Sequence, residues 1–208
     1  MKELNDFLKE PFNKGDKDWF QKECKEIADE LFKKYYIKCN NRKFYFAEIE
    51  FYYYEEGVWD DDWNKVTYAR DGYKAGDLFY HLSGIDVCFN SQYKLKPVKF
   101  GGILIRAIKD ENKNIIAGPL NCKDEILNAC KGKEMPKLIC DDSQMQDIEV
   151  LSTYRALGKN DIDKEKDRLC FYDKNKQLEW NPEKERYNAK KGNIEKKKGT
   201  YKTDRFKI

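Results

Sequence analysis

The sequence predicts an α+β fold: a single domain built on a curved, mostly antiparallel sheet with a few flanking helices. Three observations predict it. Residues 43–54 (KFYFAEIEFYYY) alternate over their whole length, the period-two signature of a strand. Further β-branched and aromatic runs recur down the chain, whereas stretches with helical spacing are few. No regular βαβ alternation is present, so a doubly wound parallel sheet is not expected.

Taken in order, residues 1–17 are mixed polar and hold Pro11 and Gly15, and read as an N-terminal arm. Asp18 can cap a helix in which Phe20, Cys24, Ile27, Ala28 and Leu31 recur at helical spacing. After the polar break Asn40-Asn41 comes the long strand 43–54. Strict alternation there puts Phe44, Phe46, Glu48, Glu50, Tyr52 and Tyr54 on one face, and Tyr45, Ala47, Ile49, Phe51 and Tyr53 on the other. Residues 55–77 are acidic, then punctuated by Gly and Asp, and read as a long surface loop of the kind that is usually functional or mobile. Residues 78–90 (LFYHLSGIDVCFN) read as a second long strand, with Gly84 marking a bulge or a close backbone approach. Residues 102–108 (GILIRAI) are an apolar strand interrupted by Arg106. Gly118-Pro119 opens a helix over 121–130, and short strands follow near 148–154 and 168–172.

The domain is therefore expected over 18–172, followed by a basic C-terminal extension over 173–208. From Lys184 to Lys207 there are ten Lys/Arg and three acids, interleaved with Tyr187 and Tyr201. Such a segment fits a phosphate-tracking tail; it equally fits a solvated C-terminus.

Composition excludes several function classes. The 208 residues carry 41 Lys+Arg against 38 Asp+Glu, and their 14% aromatic content is too high for a disordered chain. No apolar run is long enough to span a membrane, and Met1-Lys2-Glu3 opens no secretory signal, so a cytoplasmic protein is expected. The only histidine is His81, which rules out multi-histidine metal sites. The seven cysteines show no C-x-x-C spacing and are expected to be reduced and mostly buried. No metal and no cofactor are expected, and Rossmann, Walker and nucleophile-elbow motifs are absent.

Chemistry-bearing residues concentrate on the strands. Glu48, Glu50 and Tyr52 share one face among aromatic neighbours, and carboxylates are rarely buried without a partner. Two readings stand: an edge strand whose acidic face meets water, or a cleft holding a general base beside a platform for a flat ligand. Arg106 is either a structural ion-pair partner or a cleft residue, and Glu48 or Glu50 is its natural counter-charge in both cases.

These residues also carry a resemblance. Glu48-Ile49-Glu50-Phe51-Tyr52 resembles the E-T-E-A-Y motif of the alkyladenine (3-methyladenine) DNA glycosylase family. In the same order, Gly76-Asp77-Leu78-Phe79-Tyr80 and Gly84-Ile85-Asp86-Val87-Cys88-Phe89-Asn90 are similar to the family's G-T-L-Y-V-Y…G-M-Y-F-C-M-N strand. Ile103-Leu104-Ile105-Arg106-Ala107 resembles its V-L-L-R-A, and Ala117-Gly118-Pro119 its G-P-x-x-L segment. Thr153–Gly158 and Leu169-Cys170-Phe171-Tyr172 are weaker echoes, so the resemblance spans about residues 20–172.

The resemblance implies a monomeric DNA repair glycosylase of the base excision pathway, acting on a damaged purine flipped out of duplex DNA. It implies Glu50 as general base, with Arg106 beside it, Tyr52 and Tyr80 stacking on the extruded base, and Asn90 lining the base site. The alternative is a non-enzymatic binder of a modified base, nucleotide or other flat ligand. The departures are specific. The family's loop histidine has no counterpart in residues 53–77, and its wedge tyrosine falls at Ser83. Asp60-Asp61-Asp62 would repel phosphate. In exchange, a polar run of His81, Ser83 and Asp86 lies beside the expected pocket. His81 either replaces the missing histidine from another strand or is a strand histidine satisfied by a backbone carbonyl.

Overall fold

Fourteen consecutive residues, Arg42–Glu55, form the strand around which the rest is organised. The structure, a computed structural model, describes residues 17–56, 74–91, 96, 98–132, 134–155, 168–174, 178–181 and 186–189. The arm expected before residue 17, most of the expected 55–77 loop and the basic stretch from 190 onward lie outside the described residues.

Among the described residues there are two α-helices, α1 (Lys17–Lys34) and α2 (Pro119–Cys130). The strands are β1 (Tyr35–Cys39), β2 (Arg42–Glu55), β3 (Leu78–His81), β4 (Gly84–Cys88), β5 (Lys99–Lys109), β6 (Ile115–Ala117), β7 (Lys137–Cys140), β8 (Val150–Arg155) and β9 (Arg168–Asp173). These nine strands make one curled antiparallel sheet, with the central order β3-β4-β5-β2-β1-β7. The α+β class follows directly. A separate two-stranded sheet, β10 (Leu178–Asn181) with β11 (Arg186–Ala189), lies within the expected extension. No helix among the described residues is long and apolar enough to cross a membrane.

The sheet branches. One edge of β2 pairs with β5 from Tyr45 to Glu55, while its other edge is shared by β1 (Arg42 to Tyr45) and β9 (Glu48 to Glu50). The far edge of β5 is likewise shared by β4 (Gly102 to Leu104) and β6 (Ala107 to Lys109). At the branch the β2–β5 register shifts twice, once on each side of Glu48. Phe46 opposes Ile108, Glu48 opposes Ala107 and Ile49 opposes Ile105, so each strand carries one extra residue there.

That irregularity corrects the expected alternation. Phe44 and Phe46 do not share the face of Glu48 and Glu50; they join Ile49, Phe51 and Tyr53 in the main core. One inserted residue inverts the parity of everything beyond it. Cys24, Ile27, Ala28 and Leu31 of α1, all fully buried, cover the same core, which also includes Phe32 against Phe46 and Phe51 edge-on to Phe171.

Two further expectations are corrected. Residues 78–90 form a hairpin and not one strand: the chain turns at Leu82-Ser83, pairing His81 with Gly84 and Phe79 with Asp86. The close approach expected at Gly84 is present, since a Cβ there would lie 3.0 Å from both Leu104 Cδ1 and Pro119 Cβ. The cysteines are not all reduced. Cys39 and Cys130 form a disulfide, with Cα atoms 5.1 Å apart, that ties the β1–β2 turn to the end of α2. Cys24, Cys88, Cys122 and Cys170 are buried thiols outside this disulfide, and Cys140 is an exposed one.

Candidate functional site

Directly opposed residues of an antiparallel pair share a sheet face. The registers therefore place Glu48, Glu50 and Tyr52 of β2 on one face with Gly102 and Leu104 of β5, Asp86 and Cys88 of β4, Phe79 and His81 of β3, and Cys170 of β9. This face lies opposite the main core. The chemistry on it falls into two hydrogen-bonded groups.

The first is built on Arg106, the extra residue at the β5 irregularity. Freed from regular pairing, it extends between two carboxylates. Its Nε–H donates to Glu48 Oε1 at 2.8 Å and its Nη1 to Glu50 Oε2 at 2.7 Å. Glu50 has no exposed surface, and the Glu48 and Arg106 side chains are 15% and 16% exposed. Burial alone would lower the guanidinium's pKa, but the charges of Glu50 and Glu48 outweigh it and hold Arg106 above its ordinary value. The Cys170 thiol lies 3.9 Å from Glu50 Oε2. The choice left open by the sequence is settled against an exposed edge: β2 is paired on both sides, and its acidic face is buried.

The second group is centred on Asp86, which is fully buried. Tyr52 Oη donates to Asp86 Oδ2 at 2.8 Å, and His81 Nε2 lies 3.2 Å from Oδ1. Tyr52 reaches across β5 because Gly102 has no side chain; a Cβ there would fall 2.6 Å from the Tyr52 hydroxyl. The amide N–H of Ser83 donates to His81 Nδ1 at 3.3 Å. A backbone amide only donates, so Nδ1 holds the lone pair and Nε2 carries the proton shared with Asp86. The imidazole also stacks on Phe79, with ring centroids 5.7 Å apart. Burial and the Asp86 charge together push the neighbouring Cys88 thiol far up. Both ring nitrogens of His81 are thus engaged, Nε2 by the Asp86 carboxylate and Nδ1 by the Ser83 amide.

Six of the residues singled out from the sequence therefore meet on one face: Glu48, Glu50, Arg106, Tyr52, Asp86 and His81. The remaining ones do not join them as side chains. Tyr80 pairs with Ile85 and packs against the main core on the opposite face, so it cannot stack beside Tyr52. Its hydroxyl is buried with no hydrogen-bond partner among the described residues, and burial pushes its pKa up to about 12. Ser83 is exposed in the turn and contributes only its amide. Asn90 is exposed too, and its Oδ1 accepts the Ala75 N–H at 3.0 Å.

Tyr52 itself is 4% exposed, with its ring laid along Gly102 and its hydroxyl engaged, which makes it an anchor for Asp86 more than an open platform. Phe79, Cys170 and Gly102 were missed by sequence reasoning. Recognition of the hairpin turn would have placed Phe79 and His81 on this face. Among the described residues, no group of His, Cys, Asp and Glu is arranged to hold a metal ion. No family model, no curated protein and no solved structure matches the chain.

Proposed function

We propose that this protein hydrolyses the N-glycosidic bond of a damaged, alkylated or deaminated, purine flipped out of DNA. The observation that carries the reading is the Arg106 bridge, which fixes the Glu50 carboxylate at 2.7 Å on a face shared with a tyrosine, a histidine and a second carboxylate. In this reading the face opens around Glu50, which has no exposed surface on its own, as the extruded nucleotide enters; water then attacks the anomeric carbon, Glu50 takes its proton, and the bonding electrons leave with the purine. A carboxylate held by a guanidinium also stabilises the positive charge that develops on the sugar, with no reorganisation at the moment of reaction. The collinear resemblance of residues 20–172 to alkyladenine glycosylases supports the same assignment. The protein would act on duplex DNA as a cytoplasmic monomer.

One observation favours a second reading. Glu50 and Asp86 have no exposed surface and are engaged by Arg106 and by Tyr52 and His81, an arrangement that suits a rigid support for binding a modified base or nucleotide without turnover. Duplexes carrying single alkylated or deaminated purines separate the two. Strand scission by alkali after incubation, which reports abasic sites, is expected for a glycosylase. No scission across the panel, with tight binding of a free base or nucleotide, would establish the binder instead.

A further inference from the structure

Helix α2 is a strut between the disulfide and both halves of the candidate site. Its twelve residues span about 18 Å at 1.5 Å each. The C-terminal end is tied to the β1–β2 turn in three ways. Cys130 is joined to Cys39, Asn40 Nδ2 donates to the carbonyls of Ala129 and Cys130 at 2.9 and 3.1 Å, and Arg42 pairs with Glu125 at 2.7 Å. The N-terminal end grips the site. Gly118 N–H donates to the Arg106 carbonyl at 2.7 Å, within the irregularity that aims Arg106 at its carboxylates. Pro119 closes over Gly84, and Lys123 Nζ donates to the carbonyls of His81 and Leu82 at 2.8 and 2.9 Å.

We infer that the Cys39–Cys130 disulfide is a redox-sensitive tie whose state is transmitted through α2 to the His81–Gly84 turn and to Arg106. Two equivalents of a small thiol supply the electrons. The first thiolate attacks one sulfur to form a mixed disulfide. The second displaces the protein sulfur, leaving Cys39 and Cys130 as thiols and the reagent as its own disulfide. The two sulfurs belong to residues 1% and 2% exposed, so attack requires the end of α2 to open locally, and the reaction reports on that opening. After reduction Asn40 and the Arg42–Glu125 pair still hold the helix to the turn. The consequence is a loosened strut on an intact core.

Two measurements test this. Thiol titration of the denatured, unreduced chain should find five free thiols of seven; finding seven would overturn the inference at its premise. Hydrogen exchange is then followed with and without dithiothreitol. Reduction should speed exchange of amides 120–130 and 82–84 by at least roughly tenfold while α1 is unchanged, as expected of a cooperative local unit. A change confined to the residues flanking Cys39 and Cys130, or one spread equally over α1, would overturn it. The Cys39→Ser/Cys130→Ser variant should reproduce the reduced pattern without reductant. If it fails to fold, the reduced wild-type protein carries the test alone.

Discussion

Replacing Arg106 with methionine keeps most of the apolar stem and removes the guanidinium that bridges Glu48 and Glu50. The magnitude follows from burial. Glu50 is entirely withdrawn from solvent and Glu48 is 15% exposed, so neither charge can turn to water for compensation. Breaking a buried pair from one side costs about 3–5 kcal/mol, against about 0–1 kcal/mol for an exposed pair. For a chain of this size each kcal/mol lowers Tm by about 2–4 °C, so a fall of roughly 6–20 °C is expected by calorimetry. The sign of any pH dependence can be worked out. Arg106 is held above its ordinary value in the folded state, so its contribution is fully present below the unfolded value, itself in the strongly alkaline range, and is lost only above it. Titration of Arg106 itself therefore adds no slope to the wild-type-minus-variant difference between pH 6 and pH 10. Adding Glu50→Leu to Arg106→Met should restore part of the loss, because an apolar replacement removes the charge that Arg106 had neutralised. A loss below about 1 kcal/mol for Arg106→Met would place the cluster in the exposed-pair regime and refute the reasoning.

Three further outcomes are expected. Gly102→Ala drives a methyl against the Tyr52 hydroxyl, pushes the ring off Asp86 and should cost about 1–3 kcal/mol in urea denaturation, with Tyr52→Phe adding little in that background. Tyr80→Phe removes a buried, unpartnered hydroxyl and should stabilise the fold by about 1 kcal/mol at neutral pH. Because Tyr80 is raised to about 12, its share of stability is present below pH 10 and lost between pH 10 and 12, a loss the phenylalanine variant should not show. Truncation after Ala189 removes eight Lys/Arg and two acids; if that stretch tracks phosphates, the salt dependence of DNA binding should flatten by about 0.9 in slope per lost contact. An unchanged slope would mark it as a solvated end.

Much of the sheet is written in local pattern, and the errors have physical causes. The alternation of 43–54 located β2, and the apolar run around Arg106 located β5. Both also named the charged residues that pair. What alternation cannot show is an inserted residue. Ala47 is small enough to fit either face, so nothing in the string reveals that the parity of Phe44 and Phe46 is reversed with respect to Glu48 and Glu50. The β3–β4 hairpin was hidden because Leu82-Ser83 lacks the Asn-Gly or Asp-Gly chemistry that marks tight turns, and neither residue adopts a positive φ. The resemblance put Tyr80 in the site, but its pairing with Ile85 turns it to the other face, while Phe79, opposite Asp86, was left out. β1 was missed because Tyr35–Cys39 follows α1 without a break. The disulfide joins positions 91 residues apart, a pairing only the folded topology brings together.

The central claim is that Glu50, held by Arg106, takes the proton of an attacking water. Glu50→Gln is nearly isosteric and can still accept a hydrogen bond from Arg106, but an amide cannot serve as the base. Single-turnover base release and equilibrium binding, measured on the same lesion-bearing duplex for wild type and Glu50→Gln, test it directly. The account predicts a fall in release of at least roughly 10²–10⁴-fold with affinity retained or raised. Release unchanged by Glu50→Gln, or none by the wild type across the lesion panel, would contradict it.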